Sequence, residues 1–148
     1  MTHRAELIAV KVAADLVGLD ATGDNVFRGR PTNRPLPESQ LPALFVHLGP
    51  DVKQREYSQE LIDSVLTINV SAVVKAASAQ IDTLLLAIRE QVAIRLQSEY
   101  QQALAFVINT DEGDADEPEI SGDGDQPVGV MKMAWHFLYR RNRTNPGA

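Results

Sequence analysis

No cysteine occurs among the 148 residues. That removes disulfides, thiolate metal ligands and cysteine nucleophiles together, and it fits a protein of a reducing compartment. No apolar run approaches the roughly 20 residues that cross a bilayer as a helix. The opening "MTHRAELIAVKV" has charges on both sides of a short apolar patch and no small-residue cleavage site, so no secretory leader is expected. The three histidines, His3, His47 and His136, have no partner at the i, i+4 spacing of helical metal ligands. The bland expectation for His47 and His136 is a solvated or interface histidine. A G-x-S-x-G elbow and a G-x-x-x-x-G-K-[ST] phosphate loop are both missing. No carboxylate pair falls on an apolar element where general acid–base chemistry would place it. The sequence therefore gives no support to a catalytic, cofactor or metal site.

What is present in excess is carboxylate. "TDEGDADEPEISGDGDQP", residues 110–127, holds eight acidic residues in the fifteen positions 111–125 and no Lys or Arg. The chain carries −6 in all, so removing this stretch leaves −6 + 8 = +2. A near-neutral body thus bears one acidic segment. A metal site, a docking surface and a solvated loop are the three readings. Register argues against an EF-hand: counting from Asp114 the fifth and sixth positions are Pro118 and Glu119, and counting from Asp123 the fifth is Pro127. Like charges repel and stay extended, and an exposed hairpin loop over 111–127 is expected.

The remaining periodicities predict a one-domain fold. Ala5, Ile8, Val12 and Leu16 recur at helical spacing over 3–17, with Thr2 as N-cap and Gly18 as the left-handed C′ residue. A short strand fits 26–28. Four prolines between 31 and 42 make the next loop stiff and extended. "ALFVHLG", 43–49, alternates as a strand with Leu44, Val46 and Leu48 on one face. Gly49-Pro50 and the polar run to Gln59 form the connection to "ELIDSVLTINVSAVV", 60–74, the clearest alternation in the chain. Ile81, Leu84, Leu85, Ile88, Val92 and Leu96 stripe a helix over 79–100, with Ser78 as N-cap. A strand is expected at 103–109. A last strand from 128 puts Met131, Met133, Trp135, Phe137 and Tyr139 on one face, under the long helix. Few crossovers between strands imply an α+β domain: a mostly antiparallel or mixed sheet with two main helices on one face. It covers residues 1–140, and 141–148 form a basic polar tail.

Two sets of charges are interface candidates. Arg28, Arg30 and Arg34 sit on or beside the stiff proline loop, where rigid contact residues are common. Arg140, Arg141 and Arg143 cluster at the C-terminal end. Three arginines are too few for a nucleic-acid face, and no sequence-specific nucleic-acid partner or membrane is expected.

The order of motifs resembles a known family. "VFRGRP" (26–31), an irregular loop, "LPALFVHLGP" (41–50), a polar link into "REYSQELIDSVLTINVSAVV", a helix, and an acidic loop before a last strand look like the tail terminator proteins of long-tailed bacteriophages, the minor tail protein U family. Gly29-Arg30-Pro31 resembles that family's Gly-Arg-Pro after its first strand, and Pro42-Ala43 the Pro-Ala opening its second. The acidic loop at 111–125 resembles its Asp-rich loop. The longer proline loop at 31–42, the longer acidic loop and the basic tail past Tyr139 depart from the pattern. The resemblance implies a non-enzymatic virion protein without cofactor or metal. It would form a homohexameric ring on the head-proximal end of the tail tube, end tube growth, and present a surface to the head-side connector, with DNA free to pass through the lumen. Assembly would take place in the host cytoplasm. In such a ring Asp114, Asp116, Glu117 and Glu119 would lie near a neighbour's Arg28, Arg30, Arg34, Arg140, Arg141 and Arg143. A head-completion or neck protein, and a small α+β enzyme, are the rival readings.

Overall fold

Ala5, Ile8, Ala9 and Val12 are the buried face of helix α1, Arg4–Asp15. The structure is a computed structural model and describes residues 2–31, 36–122 and 126–148. The N-cap of α1 is His3, not Thr2: the His3 ring Nδ1 accepts from the Ala5 amide at 3.0 Å. Gly18 ends the following turn at φ +91°, as a left-handed C′ residue should, and Leu19 folds back into the core.

β1 (Val26–Arg28) leads through a 3₁₀ turn at Glu38–Gln40 to β2 (Ala43–Glu56) and β3 (Leu61–Lys75). The expected break at Gly49-Pro50 is absent. β2 runs on to Glu56 with register shifts between Leu48 and Asp51 and between Lys53 and Arg55. A bulge takes up the proline without ending the strand. The turn is only 57–60, where the Ser58 hydroxyl accepts from the amides of Glu60 and Leu61 at 3.3 and 3.1 Å. Helix α2 is Ser78–Gln97, with Ala77 at the N-cap position and no side-chain cap bond.

The acidic stretch differs most from expectation. β4 spans Val107–Ala115 and β5 Glu119–Ser121, so the stretch is strand over much of its length. Both strands pair antiparallel with β6, Val128–Asn142. They lie one after the other along the same edge of β6. A strand at a sheet edge satisfies its backbone on one side and leaves its side chains in water, so like charges do not prevent it.

The sheet order is β1-β2-β3-β6-β4, with β5 also on β6. β1 is parallel to β2 and the other pairs are antiparallel. The result is a single-domain α+β fold with a six-stranded mixed sheet. Period-2 alternation puts Leu66, Ile68, Val70, Ala72 and Val74 of β3 beside Met131, Met133, Trp135, Phe137 and Tyr139 of β6. Together with Leu44 and Val46 they meet Ile8 and Val12 of α1 and Ile81, Leu85, Ile88, Val92 and Leu96 of α2 in one core cluster. Gly129 lets α2 approach, since a Cβ there would stand 2.4 Å from Ile81 Cγ2. Leu48 and Leu84, expected inside, are each 39% exposed. Leu48 lies at the first register shift of β2, where the inward alternation ends.

The second face of the sheet carries neither helix. Thr67, Asn69, Ala134, His136 and Leu138 lie there, half-buried. His47 is on this face too and is 9% exposed, which overturns the solvated reading: strand neighbours and its own bond to Ser71 (Nε2 to Oγ, 3.4 Å) enclose it. Burial, then the positive charges of Arg30 and Lys132, hold the His47 imidazolium pKa below its ordinary value.

Candidate interaction surface

β4 starts with inward Val107 and Thr110, then carries Asp111, Glu112 and Asp114 before Ala115 packs back against the core. Thr110 is pinned by Gln102, whose amide nitrogen donates to the Leu96 and Glu99 carbonyls and to Thr110 Oγ1 at 3.0, 2.8 and 3.2 Å. That buried glutamine fixes how β4 leaves α2. Beyond it, a register shift between Glu112 and Ala115 presses Gly113 onto β6. A Cβ at Gly113 would stand 2.6 Å from His136 Nε2 and 2.9 Å from the Ala134 carbonyl oxygen. The Asp116 amide then donates to the Lys132 carbonyl at 2.9 Å.

Only two acidic side chains on this edge meet a cation among the described residues: Glu112 with Arg89 at 3.7 Å and Asp116 with Lys132 at 3.4 Å. Asp111, Asp114, Glu117 and Glu119 form no ion pair with any described residue. The edge is a strip of outward carboxylates fixed by backbone pairing.

The arginines expected at an interface sit elsewhere. Arg28 is at the opposite edge, on β1, in a two-bond pair with Glu6 at 2.9 and 3.2 Å. Both partners are about two-fifths exposed, and pairs so solvated contribute about 0 to 1 kcal/mol. The Arg28 hydrogen bond lowers the Glu6 pKa. Arg30 donates to the Leu48 carbonyl at 3.3 Å. Arg34 lies outside the described residues.

Arg140 and Arg141 belong to β6, not to a tail. Arg140 grips Asp63 through Nε and Nη2 at 2.8 and 3.2 Å. Its guanidinium carbon lies 3.6 Å from the Tyr57 ring centroid. Arg141 is half-buried. Arg143 donates to the Gln59 carbonyl at 2.9 Å and pairs with Glu56 at 3.1 Å, and its hydrogen bond is the first cause of the lowered Glu56 pKa. The carboxylate-rich segment thus lies on the β4–β5 edge, while Arg28 on β1 and Arg140 and Arg143 near the β2–β3 turn each hold a carboxylate of their own, Glu6, Asp63 and Glu56.

Sequence reasoning missed Asp63, which is fully buried and holds both Arg55 (2.9 Å) and Arg140. Its signal was a lone charge among Thr67, Asn69 and Ser71 on the polar face of β3. A second missed pair is Tyr139, whose hydroxyl donates to Asp51 Oδ2 at 2.6 Å. Burial first, and then the Asp51 bond and charge, raise its pKa.

Among the described residues no three His, Asp or Glu side chains converge as metal ligands, and no helix is long and apolar enough to cross a membrane. A depression of about 320 Å³ lies beside Arg4, Leu61, Phe106, Ile108 and Arg140. The Arg4 guanidinium covers the Phe106 ring at 4.7 Å and donates to the Arg140 carbonyl. Nothing in it resembles a nucleophile with a base.

No family model matches the sequence, and no curated protein matches it. A solved structure does. A chain in the virion of a native gene transfer agent particle superposes with a TM-score of 0.55, over 90% of this chain and 94% of that one, at 15% identity. At that identity the likeness establishes the shared fold.

Proposed function

We propose that this chain is a structural, non-enzymatic protein of a phage-like virion: the ring that caps the tail tube, ends its polymerisation and provides the head-joining surface. The observation that carries the reading is the whole-chain fold match to a component of a gene transfer agent virion, joined to the tail-terminator order of motifs in the sequence. A growing tube exposes an unsatisfied interface. A ring that covers it, with a different upper face, stops growth. Six linked contacts can hold tightly even when each is weak, so a small domain with solvated edges suits the task. On this reading the partners are further copies of the chain in a homohexamer, the tail tube protein and the head-side connector. The location is the head-proximal end of the tail, and no cofactor or metal takes part. The domain runs to the end of β6 at Asn142, and the short segment 143–148 follows it.

The test is gold-labelled antibody on whole particles together with negative-stain images and native mass of the purified protein. Label at the head–tail junction and six-membered rings are expected. Label on the head shell or the distal tail tip, or assemblies of two or four subunits, would count against the terminator. Label at the junction, on the head side of an intact connector, would favour the neck protein instead.

A further inference from the structure

His47 lies where β1 gives out. β1 pairs with β2 only as far as Val46. Just past that point the Gly29 amide donates to the Val46 carbonyl at 2.9 Å, and Arg30 Nη2 donates to the Leu48 carbonyl at 3.3 Å. These two bonds hold residues 29–30 to the sheet, and both go to the carbonyls on either side of His47. The His47 side chain is 9% exposed. Its Nε2 meets the Ser71 hydroxyl at 3.4 Å, and its Nδ1 is buried with no partner among the described residues. A neutral imidazole carries one N–H, which Ser71 can accept. An imidazolium carries two, and the second has no acceptor there, a costly state for a buried donor.

The groups that face the ring oppose a proton as well. β3 brings only neutral side chains, Asn69 directly across from His47 and Ser71 beside it. β6 brings Lys132, directly across from Ser71, and the segment after β1 brings Arg30. On β2 and β1 the same face carries Phe45 and Phe27, which pair with each other. The carboxylate described beside these cations, Asp116, lies on Lys132 at 3.4 Å. A proton on His47 would therefore add a third positive charge between two others. Burial, Arg30 and Lys132 all act on the ring in that one direction.

We propose that His47 is an acid-sensitive latch: protonating it repels Arg30 from the Leu48 carbonyl and releases residues 29–31 from the edge of β2. At neutral pH the latch is shut. Opening it takes up one proton. The shut state therefore loses ground as pH falls below about 6.5, the ordinary histidine value, and the loss levels off below the lower value of the shut state. The latch holds whether or not the chain forms a ring.

Amide exchange at Gly29, followed by NMR and corrected for the intrinsic rate, reads the latch directly. Between about pH 7 and pH 5 the protection of Gly29 should fall in the parent by up to about tenfold per pH unit, the slope for one proton, and stay level in His47→Gln. The titration midpoint of the His47 ring resonances should rise in Arg30→Gln and in Lys132→Gln, since each removes one repelling charge. A histidine shifted by burial alone would respond to neither. Gly29 protection that ignores pH in the parent, an equal fall in His47→Gln, or a midpoint that neither cation variant moves would each overturn the latch. Should His47→Gln fail to fold, the two midpoints decide alone.

Discussion

Asp63 on β3 and Arg140 on β6 face each other directly across the strand pair and form a two-bond clamp, Nε–Oδ1 2.8 Å and Nη2–Oδ2 3.2 Å. Arg55 of β2 binds the same carboxylate at 2.9 Å, so one buried charge ties three strands together. The Arg140 hydrogen bond, opposed by burial and reinforced by Arg55, holds the Asp63 carboxyl below its ordinary value. A depressed carboxyl contributes stability above its unfolded pKa, near 3.9, and loses it as pH falls through the lower folded value. Asp63→Asn should therefore cost about 1 to 3 kcal/mol at neutral pH, the upper range being held down by how exposed Arg55 is. The gap between parent and variant should narrow below about pH 4. Chemical denaturation at pH 7 and pH 3 measures both. A gap that does not change with pH would mean the clamp is held by packing and not by charge.

Trp135 is fully buried in the core cluster, and its indole N–H has no hydrogen-bond partner among the described residues. Trp135→Ala should cost about 3 to 5 kcal/mol through cavity and lost burial. Trp135→Phe should cost far less, because it removes an unsatisfied buried donor along with part of the ring. Urea melts of the two variants decide it. Equal losses would show that the N–H has a partner after all.

Gly113→Ala should destabilise by about 1 to 3 kcal/mol, the range for overpacking, because its Cβ would meet the His136 ring and the backbone oxygen of Ala134. Combining it with His136→Ala removes the ring but not the backbone clash, so the double variant should recover only part of the loss. Full recovery would show that β4 can lift off the strand without cost.

Neutralising Asp114, Asp116, Glu117 and Glu119 to their amides should leave the melting temperature nearly unchanged. All are wholly or partly exposed, and only Asp116 has a described cationic partner. The salt dependence of self-association should fall, since screening acts on exposed charge. A large drop in melting temperature would mean these carboxylates hold the fold.

Much of the fold was legible because the apolar pattern has one period per element. Ile81, Leu85, Ile88, Val92 and Leu96 give α2, and Ile62 through Val74 give β3. Met131 through Tyr139 give β6, whose inward face needed no correction. The errors fell where pattern and charge are silent about backbone pairing. Pro50 reads as a break but sits at a register shift of β2. Asp111 to Ala115 read as a loop but form an edge strand, because β6 offers a free edge whatever side chains the partner carries. His47 reads as solvated or at an interface, and the solvated half fails because neighbouring strands close it in.

The candidate surface divides the same way. Sequence alone determined that the negative charge is concentrated in one segment and that the body is nearly neutral. Strand order decided that this segment lies at one edge of the sheet while Arg28 and Arg30 lie at the other. The same order drew Arg140 inward onto Asp63, 77 residues away in the chain. Local spacing fixes which faces of an element are apolar. Only the packing of strands distant in sequence fixes which charges meet, because hydrogen-bonded edges pair by geometry and topology rather than by the identity of their side chains.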